Sequence, residues 1–193
     1  MIIPFQGMVP RIGNRVFVPE NALVLGDVTL GDDVSIWFNC VIRGDVNWIT
    51  IGDRTNIQDM SCIHVTNTKH PTLIGSNCSI AHNVMLHGCT LGDEVLVGMS
   101  STIMDGVVIG DGSLIASGSL LREGFRAPAN SLIAGWPAEI KGSLSDEQRA
   151  LVTSIPARYI RYKEAYFKDG WAIAKAPEHP KPQVGFKDGH PYP

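Results

Sequence analysis

The chain has no surplus of positive charge to offer a nucleic acid: 16 Lys and Arg stand against 19 Asp and Glu, for a net charge of -3, and no basic run is present. No stretch approaches the roughly 20 consecutive apolar residues of a membrane span. The opening segment, Met1 to Gly13, carries Pro4 and Gly7 and lacks the charged and long apolar regions of a secretory leader. These absences lead us to expect a cytoplasmic protein that engages neither nucleic acid nor membrane. Cysteines are few, and Cys40, Cys62, Cys78 and Cys89 form no C-x-x-C pair. They read as reduced packing thiols, not as disulfides or metal ligands. What the chain does have is 44% hydrophobic residues over 193 positions, enough for one domain with a full core plus appendages.

Those hydrophobic residues follow a beat of six. An isoleucine, leucine or valine stands at Val24, Leu30, Ile36, Ile42; at Ile51, Ile57, Ile63; at Ile74, Ile80, Leu86; and at Leu91, Val97, Ile103, Ile109, Ile115, Leu121. Three changes of phase separate the runs. A helix would return apolar residues near every 3.6 positions and an amphipathic strand near every 2, so a sustained period of six points to a solenoid. A sandwich with Gly-rich turns would not keep a common hexad register. Glycine follows the rung at Gly31, Gly52, Gly75, Gly92, Gly98 and Gly110, where it is expected to allow corner conformations that a Cβ resists. Four places after the rung the residue is small or β-branched, as at Val28, Cys40, Thr55, Ser61, Cys78 and Val84. Rung and fourth residue should both point inward, with three hexads to a triangular coil and stacked coils burying what one coil cannot. At one strand spacing per coil the prism should stand about 30 to 35 Å tall. Cys40 and Cys78 fall at inward positions, Cys62 and Cys89 at corner or outward ones.

The ladder is expected to end near Leu121, with 127–138 as an extended cover. Ser145, with Gln148 three residues on, reads as a capping box opening a helix, and Pro156 is expected to split or kink it into pieces near 145–154 and 157–168. Leu151, Val152, Ile155, Tyr159, Ile160, Tyr162 and Tyr166 could pack along one prism face. The division is thus a β-helix with lead-in and cover over 1–140, a helical segment over 141–170 and a Pro-rich tail over 171–193.

Three of the chain's six histidines, His64, His82 and His87, fall within one stretch of the ladder. His64 and His87 each follow a rung and share an outward hexad position, whereas His82 lies two after Ile80. On a prism His82 and His87 straddle a corner, so convergence on one ion within a single chain is awkward and a neighbouring copy could supply the missing ligand. Imidazole suits zinc and other borderline divalent ions, and three histidines with an open fourth position describe a catalytic site. Bound there, zinc would bring the pKa of a water down to roughly 7.

Arg43-Gly44-Asp45, the run from Thr55 to Asp59, Cys62-Ile63-His64 and the run from Ile80 to Cys89 together resemble the gamma-class carbonic anhydrase family of hexapeptide-repeat proteins. Gly135-Trp136-Pro137-Ala138 before a helix is similar too. The resemblance covers residues 10 to 168. It implies a left-handed parallel β-helix, a C-terminal helix packed along it, a homotrimer, and interface metal sites holding Zn2+, with Fe2+ or Co2+ also compatible. His64 and His87 would come from one subunit and His82 from the next. It further implies that Arg43 and Asp45 join an interface salt-bridge network with an aspartate at the Asp59 position, that Gln58 orients the nucleophile or bicarbonate with help from Asn56, and that a helix tyrosine, first Tyr159 and then Tyr162, lies near the metal.

The family's glutamates near the metal are missing. Val46 follows Asp45, and the insertion from Val65 to Leu73 holds no carboxylate; His70, inside it, has a suitable unperturbed pKa to carry the proton instead. Reversible hydration of CO2 is the leading expectation. Acyl-CoA thioester hydrolysis, acyl transfer with a single histidine as general base and a catalytically weak trimeric scaffold are the alternatives, and fold alone does not separate them.

Overall fold

Rungs distant in sequence become neighbours in space. In the computed structural model, which describes residues 1–176, they stack in three columns joined by parallel strand pairing. One column runs Val24, Ile42, Ile63, Leu86, Ile103, Leu121. The second runs Ile12, Leu30, Ile51, Ile74, Leu91, Ile109, Ala127. The third runs Ile36, Ile57, Ile80, Val97, Ile115, Ile133. The result is a left-handed parallel β-helix of about seven coils with one helix at its C-terminal end. No rung of the hexad ladder read from the sequence exceeds 3% exposure. The inward fourth residues, among them Val28, Cys40, Thr55, Ser61 and Val84, are equally buried.

The glycines after the rungs do a different job from the one expected. The left-handed corner conformation belongs to the third residue after the rung, as at Asp33, Asn39, Arg54, Met60, Asn77, Asn83, Glu94 and Ser100, and at Gly106 and Gly112 further on. The glycines one place after the rung are needed for close approach: a Cβ on Gly52 would lie 2.6 Å from the Gly75 carbonyl carbon, and one on Gly92 would lie 2.0 Å from Asp111 Oδ1. In that space aspartates cap the coil before them. Asp53 Oδ1 accepts from the Asp32 amide at 2.9 Å and Asp111 Oδ1 from the Asp93 amide at 2.9 Å.

The ladder is longer than the hexad count alone allows. Arg126–Ala127 and Ser131–Gly135 continue the parallel stacking, so 127–138 is largely further coil, and Ala138–Ser143 then turns back antiparallel on the last strand. Ala127 escapes the count because alanine is a weak rung. Cys89, expected at a corner or outward position, is 1% exposed. All four cysteines are free, and burial pushes the thiols of Cys78 and Cys89 up to about 12 and that of Cys40 to about 11. A thiol reagent at pH 8 is therefore expected to spare Cys40, Cys78 and Cys89 in the folded protein and to label all four after denaturation; mass spectrometry of the labelled peptides reads this directly.

The helix, α1 (Asp146–Lys168), is continuous through Pro156, not split. Proline removes one donor and crowds the preceding turn, but Val152, Pro156 and Lys163 are all buried, so both halves are held to the same surface. The Ser145 and Gln148 capping box forms as expected. Leu151 and Tyr162 point outward, whereas Lys163 is fully buried. Its Nζ donates to the Arg15 carbonyl at 2.9 Å and pairs with Asp33. Trp37 stacks edge-on to Tyr159 and Tyr166, which fixes α1 against the third column. The expected Pro-rich tail lies outside the described residues from 177 onward.

Candidate metal centre

The three phase changes of the ladder, after Ile42, after Ile63 and after Leu86, all fall at one corner of the prism. There the strand Val41–Ile51 bends around the edge, and the excursion from Val65 to Leu73 is closed by pairing of Thr66 with His70. Register between Cys62–His64 and Met85–His87 sets His64 directly beside His87. His64 Nδ1 and His87 Nε2 face each other at 3.1 Å.

Each ring is held from behind. Asp45 Oδ1 lies 2.9 Å from His64 Nε2 and Asp105 Oδ1 2.6 Å from His87 Nδ1. Arg43 engages the other oxygen of Asp45, and the Thr66 hydroxyl donates to the other oxygen of Asp105. Carboxylates accept, so these nitrogens carry the ring protons. With both rings neutral, the two that remain present lone pairs to each other, an arrangement that a shared cation relieves. Two nitrogens on one tetrahedral zinc, each about 2.0 to 2.1 Å from the ion, are about 3.3 Å apart, close to the spacing seen. The pair fits a divalent ion of that kind.

Burial pushes the His64 imidazole below its usual range; the Asp45 hydrogen bond opposes this and the Arg43 charge reinforces it. Burial raises the carboxyls of Asp45 and Asp105, but hydrogen bonds outweigh it and hold both below the usual carboxylate value. At Asp45 they come from His64 and Arg43, and at Asp105 from Thr66 and His87.

The third histidine stands apart. Because Ile57 pairs with Ile80, His82 stacks over Asp59, with Nδ1 2.9 Å from Asp59 Oδ2 and its side chain 43% exposed. Among the described residues no three His, Cys, Asp or Glu side chains converge on one point. Gln58 and Asn56 belong to the His82 corner: Gln58 donates to Asn56 Oδ1 at 3.0 Å, and Asn56 donates to Ser79 Oγ at 2.8 Å and the Cys78 carbonyl at 3.1 Å. Tyr159 joins them from α1. Its hydroxyl is pushed up to about 12 by burial and then by the Asp59 charge. Within one chain, then, Arg43 pairs with Asp45, and Asp59 lies beside His82. Two half-sites flank a single face.

A sequence profile described as bacterial transferase hexapeptide (six repeats) matches residues 10–44 and 88–123. Protein YrdA of Escherichia coli (strain K12) is 44% identical over 173 residues, covering 86% of this chain and 94% of that one. A probable carbonic anhydrase of Methanocaldococcus jannaschii is 46% identical over 153 residues, covering 79% of this chain and 96% of that protein. The chain belongs to the gamma-class carbonic anhydrase family. The architecture recurs in the crystal structure of a putative acetyltransferase from Bacillus cereus, with a TM-score of 0.84 and 36% identity over 86% of this chain and 96% of that one.

Beside this gamma-class background, Asp105, Thr66 and Glu123 are site residues that sequence reasoning missed. Asp105 follows rung Ile103 by two, and stacking of Ile103 on Leu86 is the signal that could have placed it near His87. Glu123 lines an open cavity of about 420 Å³ together with Thr66, Lys69, His70 and Asp105. The cavity beside the insertion is thus lined by a glutamate from another coil.

Proposed function

We propose that the protein is a metal-dependent carbonic anhydrase that hydrates CO2 reversibly at sites shared between copies of a homotrimer. The observation that carries this is the pair of facing nitrogens on His64 and His87, each ring oriented by its own carboxylate. Support comes from the relatives named carbonic anhydrase. The third ligand would be His82 of the partner subunit, which one chain holds at the opposite edge of the same face. Zn2+ is the ion the donor set fits best, with Fe2+ and Co2+ also accepted by imidazole. Bound there, such an ion is a Lewis acid that makes hydroxide available near neutral pH.

The chain's own residues do the rest. Asp45 and Asp105 keep the two rings in one tautomer and orientation. Gln58, buried and steadied by Asn56, aims the nucleophile and the bicarbonate product, with Tyr159 closing the same half-site. Hydration of CO2 to bicarbonate releases one proton. His70 is the residue we assign to carry it to solvent, with Glu123 across the cavity as the next acceptor. His70→Ala is expected to slow hydration about tenfold in weak buffer and little in concentrated buffer; equal rates in weak buffer would remove His70 from the route. Four unpaired cysteines, three buried and Cys62 half-buried, suit a reducing compartment, and we place the protein in the cytoplasm. No described helix is long and apolar enough to cross a membrane.

The deciding experiment is metal analysis and stopped-flow CO2 hydration on one sample purified without chelator or nickel. About one zinc or iron per subunit with hydration supports the proposal. Stoichiometric metal without hydration shifts it to thioester hydrolysis or a scaffold. Absence of metal with acyl-CoA turnover shifts it to acyl transfer, the kind of activity named for the Bacillus cereus protein.

A further inference from the structure

His64 and His87 are each hydrogen-bonded to their own carboxylate, and the ring atom engaged differs between the two. Asp45 Oδ1 accepts from Nε2 of His64, whereas Asp105 Oδ1 accepts from Nδ1 of His87; Asp59 Oδ2 lies 2.9 Å from Nδ1 of His82 but out of hydrogen-bond alignment. Turning either the His64 or the His87 ring over would exchange nitrogen for carbon at both of its contacts, replacing two polar contacts with two C–H groups, so the orientation is fixed by chemistry as well as by packing. A carboxylate on one nitrogen places the proton there and leaves the other nitrogen bare.

We infer, building on the metal reading above, that His64 ligates through Nδ1 while His87 ligates through Nε2, and that Asp45 and Asp105 are the positioning residues that impose this mixed pair. The facing geometry agrees. The bare nitrogens of His64 and His87 are the ones that face each other. The inference also gives Asp45 work beyond an interface salt bridge. Arg43 is satisfied by Asp45 within the chain, so its guanidinium anchors the carboxylate that orients His64. Thr66 does the same for Asp105.

The test is made on the full chain labelled with 15N-histidine, stripped of metal, at pH 8, where unperturbed imidazole is neutral. Long-range 1H–15N spectra, assigned with single His→Gln variants, are expected to show the proton on Nε2 of His64 and on Nδ1 of His87. Zinc addition should then move the bare nitrogens. Competition with a chelator should give about 10- to 100-fold weaker zinc binding in Asp105→Ala. Asp105→Asn, whose amide oxygen still accepts from Nδ1, should restore the His87 tautomer and part of the affinity. The opposite tautomer at either ring, or Asp105→Ala with unchanged tautomer and affinity, overturns the inference even if the protein hydrates CO2. The expected tautomers in a protein that takes up no zinc would overturn the ligation claim and the functional reading while upholding the positioning roles.

Discussion

His87→Ala is expected to leave the protein folded, without stoichiometric metal and without measurable CO2 hydration. His87 is partly exposed at the prism corner, its side chain 35% accessible, so the deletion opens no sealed core cavity. Its loss removes one of the two facing nitrogens and leaves Asp105 paired to Thr66 alone. Changing an outer-shell partner typically costs about 10- to 100-fold in metal affinity, and a direct ligand should cost more than that. Elemental analysis after dialysis, alongside circular dichroism and stopped-flow hydration, reads all three consequences. Retention of metal and activity by a folded His87→Ala protein would remove the centre described here. His82→Ala should have the same effect if the site is shared between copies. In a single chain the two residues do not meet, so matching losses would argue for assembly.

Ile80→Ala is expected to destabilise the fold by about 2 to 5 kcal/mol, the range for large-to-small changes in a closed core. Ile80 is fully buried and pairs in register with Ile57 on one side and Val97 on the other. Parallel strands of two or three residues cannot shift to fill the void without breaking ladders above and below, so the cavity should persist. Its effect should reach the coil of His82 and, through Trp37 and Tyr159, the docking of α1. Glu94→Ala, at an exposed corner, makes the contrast, since surface changes stay within about 0.5 kcal/mol. Urea unfolding of both variants at one protein concentration checks this. Equal midpoints would contradict the stacked-column core.

The inward half of the fold was legible because hexad spacing is a local rule. Any rung, from Val24 to Leu121, could be assigned by counting, and each is buried. Counting failed where side-chain size was ambiguous, at Ala127, and where tertiary contact overrode a local preference, at Pro156. It also assigned the glycines the wrong task, because their need for space comes from the neighbouring coil and not from their own backbone.

The site divides the same way. The sequence by itself determined the solenoid, its inward positions, the capping box at Ser145 and the outward placement of His64, His82 and His87, because each follows from spacing along one chain. Only the tertiary structure decided that His64 and His87 face each other at 3.1 Å, that Asp105 from the next coil orients His87, that Glu123 reaches the His70 cavity, and that His82 stands at the other edge with Asp59. Those contacts join residues 18 or more positions apart, across coils whose register changes phase at the corner that holds the pair, and a periodic pattern carries no information where its own period breaks.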